Sequence, residues 1–159
     1  MPRKTTKSLQ RRVTPDRKYN STLVQRMINK SMLDGKKLLA ERHVYDAMEI
    51  AAKKLKSDNP LEVFEKGIKN VYPQMEVKSR RVGGANYQIP FPVSGQRQLH
   101  LAFMWFVAAA RARKGMPYAN RLAAEIVDAY NQSGAAFKKK EDTHRMADAN
   151  RAFAHFART

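Results

Sequence analysis

The chain has 159 residues, with 31 Lys and Arg against 14 Asp and Glu, so its formal net charge is +17, a surplus that suits a partner rich in negative charge. Hydrophobic residues make up 43%, enough for the core of one domain, yet no apolar run approaches the ~20 residues of a membrane span. The absence of cysteine excludes a disulfide framework and any thiolate metal site. Nucleic acid is the first expected partner and an anionic membrane surface the second.

Residues 1–18 read as a basic tail. Arg3, Lys4, Lys7, Arg11, Arg12, Arg17 and Lys18 stand against Asp16 alone, and apolar residues are too few to pack the segment when it is free. It lacks the apolar stretch of a secretory signal. Residues 19–159 read as one helical domain. Asn20 or Ser21 is expected to cap a first helix carrying Leu23, Val24, Met27 and Ile28, with Gly35 as its stop. A second helix shows the stripe Ala40, Val44, Ala47, Met48, Ala51 and Leu55. In the third, Asn59 fits the N-cap, Pro60 the first helical position and Glu62 the reciprocal capping position. It runs to about Asn70 and ends before Pro73.

From about residue 74 to 93 the period changes to two. Met75 and Val77, then Tyr87, Ile89, Phe91 and Val93, alternate with polar neighbours around Gly83-Gly84, which predicts a β-hairpin. Pro90 and Pro92 share one parity, so both can lie where the amide points out of the ladder. A fourth helix spans roughly Arg97 to Lys114 and is apolar nearly all round, with Leu99, Phe103, Phe106 and Ala110 on one stripe and Leu101, Trp105, Ala108 and Ala109 on another. Pro117 opens a fifth, with Leu122, Ala123, Ile126, Val127 and Tyr130 facing in and Gly134 closing it. A sixth is expected near Lys138. Lys138 to Arg145 offers no apolar residue, so its first two turns are expected to project from the core, with Met146, Phe153 and Phe156 docking the rest.

Candidate catalytic groups are few. His43, His100, His144 and His155 lie far apart without metal-ligand spacing, and no nucleophile elbow or phosphate-binding glycine loop is present. Gly83-Gly84 is explained by a turn, and Glu141-Asp142 by a helix start, where acids suit the dipole. No cofactor or metal is expected. The cations, by contrast, form clusters: the tail; Lys36 and Lys37 after a turn; Lys78, Arg80 and Arg81 at one end of the hairpin; Arg111, Arg113 and Lys114 closing the fourth helix; and Lys138, Lys139, Lys140, His144 and Arg145 on the sixth. A single run would be a solvated face. Five dispersed clusters fit a multi-point phosphate contact with folded RNA. Tyr87 either offers a ring for a base to stack on or packs beneath the hairpin.

Val77-Lys78-Ser79-Arg80-Arg81-Val82-Gly83-Gly84-Ala85-Asn86-Tyr87-Gln88-Ile89-Pro90 resembles the signature of the small-subunit ribosomal protein seven family, bacterial or organellar type. The stretch from Lys139 to Phe156 resembles that family's C-terminal helix, Met32-Leu33-Asp34-Gly35-Lys36-Lys37 its first interhelical turn, and Met1-Pro2-Arg3 its usual start. The resemblance implies a mainly α domain of about six helices with a protruding two-stranded hairpin. It implies a non-enzymatic, primary binder of the 3′ major domain of small-subunit rRNA, which nucleates assembly of the subunit's head among neighbouring ribosomal proteins. It further implies a hairpin near exit-site tRNA and mRNA, a place in the cytoplasmic small subunit, and, in bacterial members, repression of the family's own messenger. Its RNA contacts carry over to the tail arginines, Lys36, Lys37, Lys78, Arg80 and Arg81. The segment from Val93 to His100, which holds a further candidate in Arg97, is less basic than the family pattern. The competing reading from the residues is a DNA architectural protein with a basic β-arm, although Val82 is the only apolar wedge at the tip.

Overall fold

Apolar residues three and four apart become buried helix faces, and the one stretch of period two becomes a sheet. A computed structural model describes residues 13–157. Within them lie helices α1 (Thr22–Ser31), α2 (Lys37–Lys54) and α3 (Pro60–Val71), strands β1 (Met75–Val82) and β2 (Ala85–Pro92), helices α4 (Gly95–Ala112), α5 (Tyr118–Tyr130) and α6 (Gly134–Ala149), and a C-terminal 3-10 helix (Arg151–Ala157). The fold is thus mainly α with one antiparallel hairpin. None of these helices is long and apolar enough to cross a membrane.

The core gathers the expected stripes. Val24, Met27 and Ile28 of α1, the α2 stripe from Ala40 to Ala51, and Leu122, Ala123 and Ile126 of α5 are all buried, while Leu55, Val127 and Tyr130 lie at its edge. In α4 only Met104 and Ala108 break an otherwise buried run from Leu101 to Ala110. Helix α5 packs on α2, α3, α4 and α6. Gly67 allows α3 to come close, because a Cβ there would stand 3.3 Å from the Ile126 carbonyl oxygen. Asn70 of α3 then donates its side-chain amide to the carbonyls of Ala129 and Tyr130 at 3.0 and 3.1 Å, capping the end of α5.

Several boundaries differ from expectation. Asn59 caps α3, accepting from the amides of Leu61 and Glu62, but Glu62 does not close the reciprocal bond; the Asn59 amide donates to Ser57 Oγ instead. Helix α1 ends at Ser31, and Gly35 serves the turn into α2 at φ +73°. Gly134 does not close α5; it is the first residue of α6, at φ +91°, where a Cβ would stand 2.8 Å from Asp128 Cβ. Glu141 and Asp142 therefore sit in mid-helix, not at a helix start.

The largest correction concerns α6, whose first turns do not project. Ala136, Phe137, Lys140, Thr143, His144 and Ala147, spaced as one helical stripe, are buried or half-buried, whereas Met146 is exposed. Beyond Phe137 the stripe is small or polar, so a search for apolar side chains passes over it. Phe153 and Phe156 lie beyond the helix and pack elsewhere.

The start of the body is organised by Asp16, which is 4% exposed. Its carboxylate accepts the amides of Lys18, Tyr19 and Ser21 at 3.0, 2.8 and 2.8 Å and the Tyr45 hydroxyl at 3.0 Å. Ser21 holds the N-cap position of α1 without a side-chain cap bond. The folded body therefore includes residues expected in the tail, and residues 1–12 of that tail lie outside the described residues. Burial raises the Asp16 carboxyl, but hydrogen bonds from Tyr19, Ser21, Tyr45 and Lys18 outweigh it and hold the group below its ordinary value. Burial, then the Asp16 carboxylate, pushes the Tyr45 phenol up to about 12. Because folding favours ionised Asp16, its stabilisation is complete above the unfolded value of about 3.9 and is lost as pH falls through the lowered folded value. Urea midpoints are expected to fall as pH drops below about 4, and Asp16→Asn is expected to flatten part of that fall. An unchanged pH profile in the variant would show that Asp16 contributes nothing.

Candidate nucleic-acid interface

Strand and helix periods decide which cations point outward. In the hairpin, Val82 pairs with Ala85, Arg80 with Tyr87, Lys78 with Ile89 and Glu76 with Phe91. The link is Gly83-Gly84, both at positive φ (+58° and +93°), as a two-residue turn matching strand twist requires. Counting from the Val82–Ala85 pair, Val77–Pro90 and Met75–Pro92 fall at sites that exchange no ladder bonds, so neither proline removes one.

The face bearing Glu76, Lys78, Arg80, Tyr87, Ile89 and Phe91 turns towards the body. Ile89 is fully buried, and Tyr87 packs against Phe153 and Phe156 with ring centroids 5.2 and 5.4 Å apart. Of the two expectations for Tyr87, packing is the one realised. Arg80 donates from Nη1 to the Phe156 carbonyl oxygen at 3.1 Å. Arg81, its neighbour in sequence, lies on the opposite face and is exposed, without a hydrogen bond or ion pair among the described residues. The strand period therefore divides what looks like one cluster.

At the base of the hairpin Glu76 is buried and meets Lys78 Nζ at 2.9 Å and Arg97 Nε at 3.1 Å. Burial raises its carboxyl, but the bonds from Lys78 and Arg97 prevail and hold it below the usual range. The Gln74 amide donates to His144 Nε2 at 2.9 Å, joining α6 to the entry of β1. Burial first, then Lys140, lowers the His144 pKa, which keeps that nitrogen an acceptor.

Other cations are also turned inward. Lys140 Nζ donates to the Asn70 carbonyl oxygen at 2.7 Å, in the last turn of α3. Arg113 Nε and Nη2 donate to Glu125 Oε2 at 3.1 and 2.6 Å, and Nη2 also reaches Asp128 at 2.5 Å. Glu125 is fully buried, and its other oxygen accepts the Ala136 amide at 2.8 Å, at the N-terminus of α6. Arg111 leans on the Ser31 carbonyl oxygen at 3.4 Å but is exposed. Lys36, Lys37, Lys114, Lys138, Lys139 and Arg145 are exposed, and of these only Arg145 forms an ion pair among the described residues, at 3.7 Å from Asp142. Arg3, Lys4, Lys7, Arg11 and Arg12 lie outside the described residues.

A second cationic feature was not legible as a cluster. Arg26, Asn29 and Lys30 of α1 face Gln96, Leu99, His100 and Phe103 of α4 across a groove of about 520 Å³. Burial, then the charges of Lys30 and Arg97, lowers the His100 pKa. No acid lines this groove among the described residues. Arg26 and Lys30 are four apart, as are Gln96 and His100, so each helix shows half the groove as a polar stripe. That the halves meet is a tertiary fact.

Residues 2–151 match the ribosomal protein S7p/S5e family. A protein named small ribosomal subunit protein uS7 from Chloroflexus aggregans is 55% identical over 148 residues, covering 93% of this chain and 94% of that one. Proteins of the same name from Dictyoglomus turgidum and Chloroflexus aurantiacus are 58% and 52% identical, covering 92% and 99% of this chain and 93% and 99% of their own.

The inward arginine and the outward lysines should respond differently to truncation. Arg113→Ala leaves the Glu125 carboxylate buried without its counter-charge, and stability is expected to fall by about 3 kcal/mol. Lys138→Ala with Lys139→Ala should change it by less than about 0.5 kcal/mol, since both are exposed. Equal urea midpoints for the two variants would refute this division.

Proposed function

The chain belongs to the ribosomal protein S7p/S5e family, and from that premise we propose that it is a primary binder of the 3′ major domain of small-subunit rRNA that nucleates assembly of the subunit's head. It is a structural, non-enzymatic component of the small ribosomal subunit, as its bacterial relatives are named. In this reading rRNA is gripped by Lys36, Lys37 and Arg111, by the α1–α4 groove with Arg97 beside it, by Arg81 and Lys78 on the hairpin, by Lys114, and by Lys138, Lys139 and Arg145. The basic tail, with Arg3, Lys4, Lys7, Arg11 and Arg12, extends the same contact as a separate segment before the helical domain. Arg113, Lys140 and His144 then act by holding the scaffold. The hairpin lies near exit-site tRNA and mRNA, and neighbouring ribosomal proteins complete the surroundings.

The observation that carries this reading is the dispersal of cations left without acids over α1, α2, α4, α6 and the hairpin. Folded RNA presents phosphates over a comparable spread and is recognised by shape. A DNA-bending arm is less well served, because the hairpin tip is a tight turn of two glycines with Val82 as its single apolar candidate in the sequence.

Binding to a transcript of the 3′ major domain should weaken steeply with salt, each phosphate adding roughly 0.7–0.9 to the log–log slope. Arg81→Ala should lower that slope by about one, and Arg80→Ala with Arg81→Ala should leave the far-UV helical signal unchanged. A flat salt titration of the parent chain would overturn the proposal. Loss of helical signal in the variant would show that the hairpin tip supports the fold.

A further inference from the structure

Most large apolar side chains of this protein are buried, but a group at one corner is not. Leu33 is 59% exposed, Leu38 76% and Leu39 48%, all around the turn from α1 to α2. Leu33 and Leu39 border a cavity of about 330 Å³ between that turn, α2, α4 and α5. Leu33, Leu39 and Ala40 form one wall, and Tyr118 and His43 another, their rings edge-on with centroids 5.9 Å apart. Exposed apolar surface around a cavity marks a place where something binds.

The rim limits what that is. Lys36, Arg111 and Arg121 line the cavity against the single acid Asp34. Lys37 and Lys114, both exposed, follow directly in sequence on Lys36 and Arg113. Arg121 donates from Nη1 to the Arg113 carbonyl oxygen at 2.8 Å, yet its Nε is buried without a hydrogen-bond partner among the described residues. The occupant must therefore be apolar and flat enough for the walls, and must carry negative charge on either side of its apolar part. An unpaired nucleotide within a folded RNA meets both demands: its base is free of the stack, and a phosphate precedes and follows it. A duplex does not, because its bases are already stacked.

We propose that this cavity receives one unstacked base of a structured RNA, with the neighbouring phosphates on Lys36, Arg111 and Arg121. The assignment rests on the rRNA-binding reading and adds to it a non-electrostatic contact at a defined place. An acidic peptide of a neighbouring protein is the alternative occupant; the surplus of cations over one acid favours the polyanion.

The test uses the full chain and a transcript of the 3′ major domain. Leu33→Ala with Leu39→Ala removes apolar wall at exposed positions and no charge. Affinity should fall about tenfold while the salt slope stays that of the parent, since stacking and apolar contact release no counterions. A benzophenone side chain in place of Leu39 should, on irradiation in assembled subunits, mark a nucleotide outside base-paired helices. Binding of the double variant within about twofold of the parent would overturn the assignment, as would a crosslink to paired rRNA or to another protein. If the parent itself failed to bind the transcript, the rRNA reading would fall together with the cavity; if the parent bound and the double variant bound equally well, the cavity alone would fall.

Discussion

A carboxylate with no access to water needs a counter-charge, and Glu125 is that carboxylate here. One of its oxygens takes two bonds from Arg113, which follows α4, and the other takes the Ala136 amide at the start of α6. Three helices are thereby brought to one point. Gly134 makes the arrangement possible, since any side chain there would collide with Asp128 and crowd Glu125. Once α6 begins at that point, its inner stripe runs along the body, His144 meets Gln74, and the 3-10 helix arrives beneath the hairpin. A two-stranded ribbon is marginal alone in water. This one is held by Phe153 and Phe156 against Tyr87, by the Arg80 bond to the Phe156 carbonyl, and by Glu76 against Lys78 and Arg97.

The same logic sorts the cations. Lys140 at the end of α3 and Arg113 on Glu125 are held within the scaffold, whereas Arg121 at the end of α4, and Lys78 and Arg97 on Glu76, serve the scaffold and also border the proposed RNA surface. The remainder stay on the surface, where mutual repulsion within a chain of net charge +17 is relieved by a polyanion. RNA binding and fold thus draw on one pool of basic residues, and the acids decide the division.

Much of the architecture was legible because it rests on local rules. The α2 stripe, Asn59 before Pro60, and the parity of Pro90 and Pro92 each read correctly from neighbours a few residues away. Two readings failed for one reason. Ser21 has the composition of a cap, and Lys138 to Arg145 that of a projecting turn, but both depend on a partner distant in the chain or in space. Asp16 orders the start of α1 by accepting the Ser21 amide, and α3, α4, α5 and β1 cover the inner face of α6.

The candidate interface divides in the same way. The sequence by itself determined the charge surplus, its scatter over many segments, and the kind of partner that scatter suits, because net charge and periodicity need no long-range contact. Only the tertiary structure decided which cations face outward, that Arg26 and Lys30 stand opposite His100, and that Leu33 and Leu39 overhang a cavity beside Arg121. Those are distances between residues far apart in the chain, and packing sets them.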